Sequence, residues 1–159
     1  MGELITRATI WMAMGLWCGA MLLPPRLVSL DRWIRGVGLI VYLAHILFAY
    51  RFFYDWSHQV AWEETAKDTE ATVGIASGFG LLVNFAFAGI LLVDQVIQFR
   101  TGRRKGGRWI DGLILFLVLN GAVVFGEGSV RVYGVVLLGI VFVVLGARRL
   151  RHDPGARTG

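Results

Sequence analysis

The chain has 159 residues, 56% of them hydrophobic and 17% charged, with a formal net charge of +5. A mean hydropathy of +0.63 is too apolar for an ordinary soluble domain and places the chain in the membrane class. The surplus of Lys and Arg lies beside apolar runs. There it binds anionic lipid headgroups at about 1 kcal/mol per residue, and nucleic acid is not expected as a partner.

A span needs about 20 mainly apolar residues to cross a hydrocarbon layer about 30 Å thick. Five runs come close, at about 5–23, 33–54, 73–93, 109–125 and 132–147. They predict an all-α fold: a polytopic membrane helix bundle with five transmembrane helices, forming one domain over 1–159 in the plasma or inner membrane.

The first run follows Arg7, as the apolar part of a secretory leader would. Apolar residues continue past Cys18–Ala20 to Leu23, so it reads as a retained span. Gly15 and Gly19 give it a small-residue stripe, which lets helix backbones approach in lipid. Cys18 is the only cysteine, which leaves no intrachain disulfide or multi-cysteine zinc site.

The second run opens at Trp33 and carries His45 about 18 Å further along at 1.5 Å per residue. Arg51 can pair with Asp55 one turn on. The acidic stretch at about 57–72 follows, with Asp55, His58, Glu63, Glu64, Asp68 and Glu70 forming a polar patch. Asp55 or Ser57 suits an N-cap. Glu63 and Lys67 form an i, i+4 pair contributing about 0.2–0.5 kcal/mol. The simplest arrangement is one helix from about Ser57 to Phe99, starting in water and then entering the bilayer. Such a charge run is ordinarily a solvated face; the sharper alternative is a docking patch or a cation-collecting mouth. The stretch lacks Glu-x-x-His and His-x-x-x-His spacings, so no metal is expected there.

The third run places Ala76, Gly80, Asn84 and Ala88 at fourfold spacing, with Asn84 about 15 Å from Asp94 at the far edge. Arg100, Arg103, Arg104, Lys105 and Arg108 then form a headgroup-binding cluster. The fourth run opens at Trp109 and carries Asn120 about 16 Å along. "GEGSVR" turns the chain into the fifth run.

Twelve of the 16 basic residues fall in the segments after runs one, three and five: Arg26, Arg32 and Arg35, then the cluster at 100–108, then Arg148, Arg149, Arg151 and Arg157. The positive-inside rule puts those segments in the cytoplasm. The N-terminus and the acidic stretch are then outside and the C-terminus inside. Trp33 and Trp109 at one boundary, and Trp56 and Trp62 at the other, fit the two aromatic belts.

His45, Asn84 and Asn120 share one depth and form a predicted midplane polar layer, with Met12 close by. An ionisable residue at such a depth is a functional-site hypothesis by default; the alternative is interhelical hydrogen bonding at about 0.6 kcal/mol per bond. Burial disfavours a charged ring, so His45 is expected to be neutral and bonded to Asn84 or Asn120.

No P-loop, Gly-x-Ser-x-Gly or His-Glu-x-x-His motif occurs. No catalytic residue is assigned, and the chain is not expected to be an enzyme. The motifs specify no cofactor. Haem held by two histidines needs ligands on facing helices, whereas His45 and His58 lie at different depths. Three functions fit. The first is a non-catalytic subunit of a larger membrane complex or homo-oligomer. The second is a small transporter or channel using the polar layer. The third is a redox protein holding haem, quinone or pigment beside Tyr42, His45, Phe48 and Phe52.

Overall fold

The computed structural model describes residues 1–102, 107–126 and 128–152. Among them every regular element is helical: α1 (Gly2–Met21), a 3-10 turn (Pro25–Leu27), α2 (Val28–Phe52), α3 (His58–Val73), α4 (Phe79–Thr101), α5 (Gly107–Val118), a π-helical stretch (Leu119–Val124) and α6 (Gly128–His152). Five segments, α1, α2, α4, α5 with its π extension, and α6, are long and apolar enough to cross a membrane. The hydropathy that marks these spans thus agrees with the helices that form.

The expected single helix from Ser57 to Phe99 is instead two. Ser57 caps α3, its Oγ accepting from the Val60 N–H at 3.3 Å, which satisfies one of the free donors of the first turn. α3 stops at Gly74, whose φ of 78° is open to glycine at little cost and ends helices in the left-handed C-cap. The chain then turns through Ile75–Gly78 before α4 begins. Trp62 lies so close over Gly78 that a Cβ there would strike its ring, and Trp62 meets Phe79 edge-on at 5.5 Å. Gly80 packs against the Thr65 methyl group. Two members of the fourfold stripe, Gly80 and the buried Ala88, are therefore taken up by packing within the chain. At the other end of α3, Asp55 and Trp56 turn the chain through positive φ of 44° and 61°.

The core is built around α1. Ala13, Met14, Trp17 and Cys18 are essentially inaccessible and join Leu39, Tyr42, Leu117, Val118, Ala122 and Val141 in one cluster. Trp17 seats on Gly38, where an added Cβ would come within 2.7 Å of the indole nitrogen. Gly15 likewise admits Tyr133 of α6, whose hydroxyl donates to the Trp11 carbonyl at 2.9 Å. Gly19 faces open space. The exterior is apolar: Ile40 is 67% exposed, Phe142 63% and Val143 72%. Water would penalise such a surface, while hydrocarbon accepts it.

A polar pocket beneath α3

His45 is half-buried on α2, and its Nδ1 lies 2.9 Å from the Thr6 carbonyl of α1. A carbonyl oxygen can only accept, so Nδ1 carries the proton. In the neutral ring Nε2 is then an acceptor, and it has no protein partner among the described residues. Tyr42, one turn before, is stacked on the imidazole with ring centroids 6.4 Å apart.

These two rings form one wall of a pocket of about 250 Å3. Tyr50 and Tyr54 continue that wall upward. Leu81, Asn84 and Phe85 of α4 face it, Ile10 and Met14 of α1 close the back, and Thr65 of α3 lies above. Leu117 and Gly121 complete the floor side. The π-helical stretch presents Gly121 here, its wider turn closed by the Phe125 N–H bonding the Asn120 carbonyl at 3.0 Å. Single π turns inside α-helices recur at functional sites.

The pocket's polar groups differ in their commitments. The Tyr50 hydroxyl lies 3.0 Å from Nδ1 of His58. Tyr42 makes only a long contact, 3.5 Å, from its hydroxyl to the Asn84 carbonyl. The Tyr54 hydroxyl and the Asn84 amide have no hydrogen-bond partner among the described residues. Burial first, then the charge of Asp68, Tyr50 and the charge of Glu64, hold the Tyr54 phenol above its ordinary range. It stays a donor at physiological pH.

Of the three expected polar-layer residues, the pocket brings two together. His45 and Asn84 both line it, while Asn120 is half-buried on the π-helical stretch beside Gly121, off the pocket wall. His45 bonds the backbone of Thr6, where the sequence pointed to an asparagine.

The acidic residues divide among local partners. Asp55 lies 3.6 Å from Arg51. Glu63 accepts from Gln59 at 2.9 Å, and Lys67 pairs at 2.6 Å with Glu64, not with Glu63. That pairing, Glu64 first, raises the Lys67 pKa. Asp68 and Arg7 line a second, polar cleft of about 680 Å3 with Thr72, Gly126 and Ser129; Val130 borders both cavities. Glu70 is exposed on α3. No three His, Cys, Asp or Glu side chains converge as a metal site needs among the described residues. In the basic cluster, Arg100 and Arg108 are exposed; Arg103, Arg104 and Lys105 lie outside the described residues.

A buried ionic cluster at the opposite end is not apparent from the sequence patterns. Arg35 is 3% exposed. Its Nε bonds Asp31 at 2.9 Å, and its Nη1 makes an ion-pair contact of 3.0 Å with Asp111 of α5. Gln95 donates to the Arg32 carbonyl at 3.1 Å, and Gln98 donates to Asp94 at 2.5 Å. Arg148 donates to the Leu22 and Leu23 carbonyls, capping the end of α1. The available signal was the Asp31–Arg35 spacing of four and the three polar residues within one turn and a half of α4.

Comparison with protein-family models, with curated proteins and with solved structures finds no match for this chain. Any functional reading therefore rests on the pocket itself.

Proposed function

We propose that this chain is a multi-pass membrane protein that binds one small, lipid-soluble, ring-bearing molecule in the pocket beneath α3. The observation carrying this reading is the lining: three tyrosines, Phe85 and His45 around a space of about 250 Å3, its larger share apolar and its polar groups uncharged hydroxyls, an amide and an imidazole. Ligand sites commonly have that composition, and aromatic walls favour an aromatic guest by offset stacking. Size narrows the class. An engineered cavity of about 150 Å3 takes benzene, so this pocket suits a substituted single ring and is too small for the four-ring haem macrocycle. Among redox partners, a quinone headgroup fits better than haem. Phe48 and Phe52 pair with each other at 6.1 Å, away from the pocket wall.

In this reading the N-terminus, α3 and the pocket's upper rim face the outside, and the C-terminus is cytoplasmic. The support is the charge asymmetry of the connecting segments. The pocket then opens within the outer half of the bilayer. The protein binds and does no chemistry on its own, as a carrier or as a subunit that presents its ligand to a larger complex.

The test uses Gly121→Leu. A Cβ at Gly121 meets only the Met14 methyl at 3.9 Å, so the longer side chain is accommodated and grows into the pocket. Protein purified in mild detergent is extracted with organic solvent and its small molecules are measured. Wild type is expected to retain about one ring-bearing molecule per chain, and Gly121→Leu at least tenfold less. Equal extracts from the two proteins would remove the pocket from function.

A further inference from the structure

Building on that reading, we infer that the pocket selects a ligand whose ring carries a hydroxyl, a neutral phenol or quinol headgroup, and that the hydroxyl donates to Nε2 of His45. The tautomer decides this. Because Nδ1–H donates to the Thr6 carbonyl at 2.9 Å, the neutral ring has no proton on Nε2 to offer, and Nε2 can accept from a donor that enters. The imidazole is fixed from both sides, by that bond to α1 and by the Tyr42 ring at 6.4 Å. That nitrogen has no protein partner among the described residues and stays open to a donor that enters the pocket.

Other pocket groups agree with a hydroxyl and disfavour an anionic ligand. The Tyr54 hydroxyl can receive from or donate to a second oxygen across the ring. The Asn84 amide supplies both functions. No Lys or Arg lines the pocket, so an anionic guest would meet no counter-charge and would have to shed its hydration. The negative charges of Asp68 and Glu64, which act on Tyr54, further disfavour a carboxylate of the same size against the neutral alcohol.

Two probes separate the hydroxyl from the ring: 4-propylphenol and its methyl ether, 4-propylanisole. They share the ring and the alkyl chain, and only the phenol can donate. Ligand-observed NMR titrations of wild type and His45→Leu in one detergent, with protein-free micelles subtracted, give the four affinities. Wild type is expected to bind the phenol roughly tenfold more tightly, the ratio one buried neutral hydrogen bond supports. In His45→Leu the two probes should bind alike. Equal binding of both probes to wild type would overturn the hydroxyl inference and leave the pocket reading standing. Binding of neither would overturn both. A phenol preference that survives in His45→Leu would overturn His45 as the acceptor. A second readout needs no variant: the Nε2 nitrogen resonance of His45 should move on saturation with the phenol and stay in place with the ether. An unmoved resonance would likewise overturn the assignment.

Discussion

Arg35→Met is expected to lower the unfolding free energy by about 3–5 kcal/mol, the range for breaking a buried ion pair from one side. The guanidinium side chain is 4% exposed and holds Asp31 at 2.9 Å and Asp111 at 3.0 Å. Without it, the partly buried carboxylates of Asp31 and Asp111 lie close together with no guanidinium between them. The loss comes from the uncompensated charge on Asp31 more than from the missing bonds. Arg35→Met combined with Asp31→Asn and Asp111→Asn should therefore recover most of the stability, because neutral partners no longer need the cation. Arg35→Lys should fall between, since an ammonium lacks the fork that reaches both acids. Unfolding in mixed micelles of graded denaturing strength gives all four values. A loss below about 1 kcal/mol for Arg35→Met would mean that the pair behaves as a surface ion pair.

Trp17→Ala is the largest single packing loss to expect, about 3–5 kcal/mol for removing a fully buried indole. Trp17 is 1% exposed, meets Tyr42 edge-on at 5.3 Å and donates to the Arg35 carbonyl at 3.4 Å. It occupies the notch that Gly38 leaves between α1 and α2. Tyr42 also lines the proposed ligand pocket, so the void borders it. Trp17→Ala should weaken binding of 4-propylphenol as well as the fold, whereas Arg35→Met, at the far end, should lower stability and leave affinity within about twofold, as distant sites act independently. Unfolding and binding measured on the same two preparations check both. Unchanged affinity in Trp17→Ala would show that Tyr42 is held by α2 alone.

The five apolar helices were legible because hydropathy and length alone specify them. The break between α3 and α4 was written at Gly74, Ser77 and Gly78, but the apolar run from Val73 onward reads as continuous. A glycine at a helix C-cap looks like any other small residue in a span until φ is known. The helical rise sets His45 and Asn84 at one expected level, and both line the same pocket. His45's partner was not legible, because every residue has a carbonyl, and only the approach of α1 selects that of Thr6. Asn120 was placed by a regular rise, while the π-helical stretch turns Gly121 into the pocket. Arg35 reads in sequence as one more basic residue at a membrane edge. Its burial depends on Gly36 and Gly38, which let Gln95 and Trp17 close over α2. In the acidic stretch that stands out most in the sequence, Glu63 and Glu64 take local partners along α3, while Asp68 lines the second cleft and Glu70 is exposed. The proposed ligand pocket draws instead on Tyr42, Tyr50 and Tyr54, whose spacing is unremarkable until α2 and α4 are side by side.

The proposed frame for all of this is a bilayer around five helices long and apolar enough to cross it, with α3 outside it. Single cysteines at exposed Glu63 and Arg26 and at buried Ala88, in a Cys18→Ser background, test that directly with a membrane-impermeant maleimide on intact cells. Glu63→Cys is expected to label from outside, Arg26→Cys only after permeabilisation, and Ala88→Cys in neither case. Labelling of Glu63→Cys and Arg26→Cys from the same side, or of Ala88→Cys as readily as either, would contradict it.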